Sequence, residues 1–487
     1  MMRRAAALCL LLMSACTVGP DYKPPVMPVP QQWSEAGTNP HAAARPEQWW
    51  QSFNDPILNR LIIDAIAANL DVKQALLRVK DARAQRWATI AAGLPGITGQ
   101  NNVSRRYNNT SSPSAGSTPS AGGGFGIGNQ LINMFQLGLG VQWELDFFGG
   151  VRRAIEAADA TLDSELENSR NALLILLGDV ASHYIELRAN QQLIAIARDN
   201  LYSQQETVKL TQIRQQAGFA SMLEVAQAQS QAATTEALMP VYETLVKQSI
   251  HALGVLLGRE PSALALRLAE PNAIPAVSAI AIPDLPSELL LRRPDIRHAE
   301  RQLAAANANI GVATAELYPK VNLSAFLGLQ NTTIADFTPL GKSWSAASSL
   351  TLPVFNWGRI NANIDSKKAQ FELAFLSYQS TVLTAFKEVE DALSAYRLEQ
   401  QRHQSLAQAV AASGLAVQLA DERYHKGLTM FLDVLQTQQT LYQTQRDLVD
   451  SDVKLSSDLV VLYKALGGGW QTVAGVSETL QLQKWQR

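Results

Sequence analysis

The chain has 487 residues, enough for several domains, with 41 basic and 43 acidic side chains and a formal net charge of −2. That balance leaves no basic footprint for nucleic acid. The two cysteines, Cys9 and Cys16, both fall at the N-terminus, which excludes an internal disulfide framework and a thiolate metal site in the body of the chain.

Arg3 and Arg4 precede an apolar run from Ala5 to Met13, too short to span a bilayer and built like a signal peptide, assigned to residues 1–15. Met13-Ser14-Ala15-Cys16 resembles a bacterial lipoprotein cleavage box, so Cys16 is the candidate lipidation site for palmitate. Ordinary cleavage beside an incidental cysteine is the alternative. Thr17, rather than an acidic residue, follows, as in lipoproteins sent on to the outer membrane. Prolines from Pro20 to Pro30 then predict an extended leash rather than a packed element within residues 16–48.

The remainder is duplicated. Arg214-Gln-Gln-Ala-Gly218 through Glu224 and Gln227 recurs 209 positions later as Arg423-Tyr-His-Lys-Gly427 through Asp433 and Gln436. Phe148 to Arg152 recurs at an offset of 207 as Phe355 to Arg359, and Pro95 is answered by Pro319. The spacing predicts two copies of one unit, residues 49–292 and 293–470, with a tail over 471–487.

Each copy opens with a helix, about 57–92 and 294–317, with Pro56 and Pro294 at or near the first helical position. Residues 151–217 and 359–426 contain no proline and one glycine each, and apolar residues such as Leu173, Leu177, Val180 and Tyr184 recur at helical spacing. Each run reaches roughly 100 Å, which requires a continuous coiled-coil partner. Gly218 and Gly427 supply turns, tips near 215–222 and 424–431, after which helices resume at Ser221 and Thr429 and run to Leu257 and Leu466; Pro240 predicts a kink in the first.

Between the helices the period changes from 3.6 to 2. Odd residues from Phe135 to Phe147 are apolar and alternate with Gln, Gly, Glu and Asp; residues 320–330 and 344–355 alternate likewise, apart from Phe326, and 97–107 more weakly. Each has the length of a tilted transmembrane strand, and Asn108 to Gly128 and Asn331 to Lys342 read as their links. Four strands cannot close a barrel, and open edges are not tolerated in lipid, so several chains must share one: two give eight strands, three give twelve. The fold class expected is mainly α with membrane β: long coiled-coil helices forming a periplasmic α-barrel, plus four strands given to an oligomeric transmembrane β-barrel.

Cys16-Thr-Val-Gly-Pro-Asp-Tyr22, Trp49-Trp-Gln-Ser-Phe-Asn-Asp-Pro56, Trp143-Glu-Leu-Asp-Phe-Phe-Gly149 and Arg292-Arg-Pro-Asp-Ile-Arg-His-Ala-Glu300 span nearly the whole mature chain. In that order and spacing they resemble the TolC-like outer-membrane efflux proteins, in the lipoprotein branch serving RND-type pumps. The resemblance implies a homotrimer with a twelve-stranded barrel in outer-membrane lipid and a large periplasmic extension. It also implies docking to a periplasmic adaptor and an inner-membrane RND-type transporter, and passage of solutes without chemistry. It makes the tips the periplasmic entrance, with Gly218, Phe219, Gly427 and Leu428 meeting the adaptor or pump. Asp433 and Glu224 match carboxylates that narrow the entrance, and Tyr424 the tyrosine that ties it closed. Thr429 and Gln436 depart from an arginine and a second aspartate found in some members, which favours a single acidic ring over a full salt-bridge latch.

These residues also have structural readings. Ser221 and Glu224 form a capping-box pattern, Asp433 suits the dipole of a first helical turn, and Trp143, Phe147 and Trp344 are interface anchors or ordinary packing. The histidines at 41, 183, 251, 298, 403 and 425 show no ligand spacing, His298 and Glu300 read as solvated helix surface, and Gly341-Lys-Ser343 lacks the glycine a phosphate loop needs at position 336. No enzyme, metal site or cofactor is expected. The function expected is the outer-membrane channel of a tripartite efflux system. The alternatives are a scaffolding coiled-coil envelope lipoprotein, whose strands would form a soluble sheet, and a conduit for type I protein export.

Overall fold

A computed structural model describes residues 17–34, 46–108, 130–276, 290–335 and 342–471. The signal segment, Cys16, the link over 109–129, most of the link before Lys342 and the tail from 472 lie outside the described residues. A 3-10 helix, Pro46–Phe53, leads into α1 (Pro56–Ala68) and α2 (Leu70–Ala92), then β1 (Gly96–Asn108) and β2 (Gln130–Leu145). Helices α3 (Gly150–Gln216) and α4 (Met222–Leu256) follow, and a single turn, α5 (Ala265–Leu268), completes the first copy. The second has α6 (Pro294–Ala315), β3 (Lys320–Asn331), β4 (Lys342–Thr351), α7 (Arg359–His425) and α8 (Phe431–Ala465).

The duplication is exact in element length where the sequence lacks breakers: α3 and α7 both have 67 residues, α4 and α8 both 35. The chain divides into two compact units, each drawing on both copies.

One unit holds residues up to Pro24, 81–162 and 302–375. Its strands form one antiparallel sheet in the order β1-β2-β3-β4, so the β2–β3 seam joins the two copies. Asp146 caps α3, accepting from the amides of Val151 at 3.1 Å and Arg152 at 2.9 Å, while Gly149 turns the chain at φ +82°. β4 ends at Thr351, short of the expected 355, because Pro353 has no amide for the ladder. Val354 therefore lies outside β4, and Phe147 lies beyond the end of β2 at Leu145.

The other unit holds residues 25–80, 163–301 and those from 376 onward. Its core gathers Trp49, Trp50, Phe53, Leu58, Leu61, Ile62, Leu177, Tyr184 and Tyr463, with Trp49 stacked on Tyr463 at 5.6 Å. Asp55 caps α1 through the amides of Ile57 and Leu58, and its second oxygen accepts from the Tyr184 hydroxyl at 2.7 Å. Arg293 is buried and paired with Asp295 and Glu388, and it donates to the Ala465 carbonyl left open at the end of α8. The Trp-Trp and Arg-Arg-Pro-Asp strings are thus core and closure, with the chemistry of packing.

Three expectations change. The helix over 57–92 breaks at Asn69, whose side chain accepts from the Val72 amide at 2.9 Å and donates to the Leu256 carbonyl at 2.9 Å, ending one helix and capping the next. Pro240 lies inside α4, which runs as one helix from Met222 to Leu256. His298 is half-buried rather than solvated, its Nδ1 lying 2.8 Å from the Ser164 hydroxyl. The leash is extended but packed. Within the first unit Arg153 donates to the carbonyls of Val18 and Gly19 and pairs with Asp21 at 2.7 Å. Gly19, at φ +92°, lies so close to Gly311 that a Cβ would come within 2.4 Å of its Cα. Within the second, buried Trp33 meets Phe386 edge-on at 6.1 Å. Proline forbids a regular element here, but not burial of its neighbours.

Candidate functional site

Register decides what the sheet can do. Directly opposed residues share a face, so Leu137, Leu139, Val141, Trp143 and Leu145 on β2 align with Leu329, Leu327, Ala325, Leu323 and Val321 on β3. Ile97 and Val103 extend that face on β1, and Trp344, Ala346 and Leu350 on β4. The opposite face carries Thr98, Gln100, Gln136, Gln142, Asn322, Ser324, Gln330, Ser345 and Ser349. Phe326 breaks the alternation on this polar face, and glycines explain it: added Cβ atoms at Gly138 and Gly328 would each lie 2.7 Å from its ring. The ring lies over the glycines of the seam and is buried there. Leu139 and Leu327, by contrast, are 54 % and 68 % exposed in the isolated chain. The indole of Trp143 donates to the Gly93 carbonyl at 3.0 Å, which fixes its ring at the helix end of the sheet.

The two helix tips are built alike. α3 ends with Gly218 at φ +79°, where the Phe219 amide reaches the Arg214 carbonyl and the Gly218 amide reaches Gln215. α7 repeats this with Gly427 at φ +73°, Leu428 to Arg423 and Gly427 to Tyr424. Both are Schellman closures, which require the left-handed glycine. They present Phe219 and Leu428 to solvent, 77 % and 64 % exposed.

Beyond the turns the copies differ. Ser221 caps α4 in a capping box with Glu224. α8 starts two residues later than expected, at Phe431, with Met430 at the cap position and no side-chain cap bond. Thr429 lies before the helix and donates to the Asp433 carboxylate. Asp433 is exposed in the first turn, and Gln436 is exposed one turn on.

The structure brings Tyr424 and Glu224 together, 200 residues apart in sequence, with the hydroxyl donating to the carboxylate at 3.1 Å. Tyr424 is buried against Phe431, Ala228 and Val434. Burial first, and the bond to Glu224 second, push its hydroxyl up to about 12, so it remains a donor throughout the physiological range. Arg214 completes the cluster by donating to the Tyr424 carbonyl at 2.9 Å, with its guanidinium 4.5 Å above the ring. Arg214 stood in the sequence as a landmark of the duplication without an assigned role. Asp433 is not part of this tie. Cys16 lies outside the described residues; its neighbour Thr17 packs against Gly149, and the Val18 amide donates to the Phe148 carbonyl at 3.1 Å.

No helix among the described residues is long and apolar enough to cross a membrane. A chain with a one-sided apolar sheet, two open sheet edges and duplicated helix hairpins is a subunit of an outer-membrane channel. The chain belongs to the outer membrane efflux protein family, whose profile matches residues 61–259 and 285–468, one stretch in each copy. It resembles Nodulation protein T of Rhizobium leguminosarum bv. viciae at 36 % identity, covering 96 % of this chain and 94 % of the relative. The pyoverdine export outer membrane protein OpmQ of Pseudomonas aeruginosa is 34 % identical, covering 95 % and 96 %. The solved outer-membrane channel OprN superposes with a TM-score of 0.86 at 33 % identity over 94 % of this chain and all of that one. The protein is thus an outer-membrane efflux channel with a large periplasmic helical portion, in a family of channels rather than enzymes. This sets aside the scaffolding reading.

Proposed function

We propose that three copies of this chain close a twelve-stranded barrel through the outer membrane and conduct drugs or other small solutes passively from a periplasmic adaptor and an inner-membrane RND-type transporter. The observation that carries this reading is the sheet: one face is mainly apolar from β1 to β4, and among the described residues β1 and β4 are each paired on one side only. Lipid does not tolerate open edges, so copies must pair through them. Two copies would give eight strands, whose interior is just filled by side chains, whereas twelve leave a lumen. The polar face, rich in neutral amides and hydroxyls, then lines a conduit with no group arranged for chemistry. Trp143 and Phe147, at the helix end of the sheet, anchor the barrel where lipid meets water, whereas Trp344 is in register with Leu327 and Leu139 and packs within the apolar face.

At the helix tips, Gly218, Phe219, Gly427 and Leu428 form the surface that receives the adaptor or the pump, since two closed turns present unpartnered apolar side chains to water. Phe219→Asp combined with Leu428→Asp should abolish export when the protein replaces the native channel of a test strain, scored as drug susceptibility. The amount of trimer in the outer membrane should not change. Export at the wild-type level would remove these residues from the docking surface.

Cys16 carries the lipid anchor. Arg153 and Asn307 hold residues 18–21, and the Val18 amide is bonded to the Phe148 carbonyl where β2 gives way to α3. That level is the periplasmic side of the barrel, the leaflet a lipoprotein enters. Cys16→Ser behind a signal that still permits export should give unlipidated protein that trimerises, because the barrel has its own hold on the bilayer. Labelled palmitate remaining on the variant would exclude Cys16.

A further inference from the structure

The turn between β4 and α7 carries aromatic side chains that the rest of the chain leaves uncovered. Val354, Phe355 and Trp357 are 88 %, 73 % and 90 % exposed, and the two rings meet edge-on at 4.9 Å. Trp357 has φ +52° and Gly358 φ +79°, and the Arg359 amide closes the turn on the Asn356 carbonyl at 3.0 Å. Positive φ at both central residues is the mirror-image turn that asparagine and glycine favour and a bulky side chain resists. Among the described residues the Trp357 indole nitrogen has no acceptor. A large ring held against its backbone preference and left in solvent points to a partner outside the chain.

The first copy manages the same turn without such a ring. Phe148, the counterpart of Phe355, stacks on Tyr318 at 4.7 Å, and its carbonyl accepts from the Val18 amide at 3.1 Å. Gly150 stands at the position equivalent to Trp357, and Thr17 packs on Gly149. The strap covers the first turn, and the second is bare.

The register gives the level of the bare turn. Leu350 on β4 aligns with Val321, and Val321 with Leu145, the last apolar residues of the lipid face at the helix end. Leu352, 51 % exposed, and Val354 continue past them, and Phe355 and Trp357 come next. Charge begins at this end of the sheet, with Arg359 paired to Glu316 at 3.8 Å and Lys320 to Glu144 at 3.6 Å. The rings therefore stand where the apolar face gives way to charged side chains, on the side of the helices, which is the periplasmic side.

We propose that Phe355 and Trp357 bind phospholipid of the periplasmic leaflet, with the rings among its glycerol and carbonyl groups and the indole N–H donating to a lipid ester. This rests on the lipid-face reading above. A tryptophan suits that level because its ring is apolar and its N–H polar. Continuity with the lipid face, and the change to charged residues beyond it, favour lipid over a second copy of the chain. Each chain then has two holds at the helix end of the sheet, the strap beside α3 and the aromatic pair beside α7.

The test is tryptophan fluorescence of the trimer in phosphatidylcholine vesicles whose acyl chains carry bromine either near the glycerol or near the chain end. The component lost in Trp357→Phe should be quenched most by the shallow bromine, less by the deep one and little by iodide in water. The component lost in Trp344→Phe, which lies within the apolar face, should be quenched more by the deep bromine. Trp357→Gly, which the backbone of the turn favours, should leave heat-modifiable trimer unchanged in detergent. A Trp357 component that answers to iodide and not to bromine, while Trp344 answers to bromine, overturns the lipid site alone. Silence of both components toward bromine overturns the lipid-face reading with it. Loss of trimer in detergent on Trp357→Gly assigns the rings to contacts between copies and overturns the lipid site.

Discussion

Leu139→Arg should prevent the protein from accumulating as trimer in the outer membrane. Leu139 lies on β2 opposite Gly99 of β1 and Leu327 of β3, in the middle of the apolar face, with Val141 and Leu137 on either side. It is 54 % exposed in the isolated chain, and what covers it in the membrane is hydrocarbon. A cation near the bilayer midplane costs about 2–4 kcal/mol, roughly thirtyfold to a thousandfold per copy, and a trimer carries three. Gln142→Arg is the control, because Gln142 faces Gly96 and Ser324 on the polar side of the same strand. It should assemble normally and change conductance instead. Heat-modifiable trimer in outer-membrane fractions, with single-channel recording, separates the two. Equal assembly of both variants would show that the lipid face is wrongly assigned.

That parity was readable from sequence because strand period is a local property. The 67-residue helices were readable for the same reason: nothing between 151 and 217 or between 359 and 426 interrupts them. What was not readable depends on partners far away in sequence. Asn69 occupies an ordinary polar slot in a helical run, and only the Leu256 carbonyl, 187 residues on, makes it a break. Prolines showed that the strap is extended, but Arg153, more than 130 residues later, determines that it is held. His298 had the spacing of a surface residue until Ser164 met it from another helix. At the tips, the glycines and the capping box were legible as local chemistry. The family resemblance gave Tyr424 as a tying residue and Glu224 as an entrance carboxylate; the bond between them and the part played by Arg214 came from the structure alone. The duplication held a hint of it, since Arg214 and Arg423 are equivalent and their helices end at like turns.

The division between Glu224 and Asp433 leads to the sharpest expectation for the entrance. Glu224 is already committed, accepting from the Tyr424 hydroxyl and closing the Ser221 capping box. Among the described residues the Asp433 carboxylate has only the Thr429 hydroxyl as a partner, and the residue is exposed to solvent. In a trimer one Asp433 per copy would approach the axis, where like carboxylates repel one another and lower the potential for passing cations. Wild-type channel in a planar bilayer should therefore prefer cations, conduct little while its tips are closed, and be blocked by trivalent cations added from the periplasmic side. Asp433→Ala should lower the cation preference and relieve the block. Glu224→Ala should act differently, loosening the first turn of α4 by about 0.5–2 kcal/mol and freeing the Tyr424 hydroxyl, so that conductance rises while selectivity stays. Tyr424→Phe should share that phenotype, because the ring still packs on Phe431 while a bond to a charged acceptor, worth about 1.5–3 kcal/mol, is gone. If Asp433→Ala leaves both selectivity and trivalent block untouched, Asp433 is a first-turn carboxylate favoured by the helix dipole, and the entrance is narrowed by the tie between the copies alone.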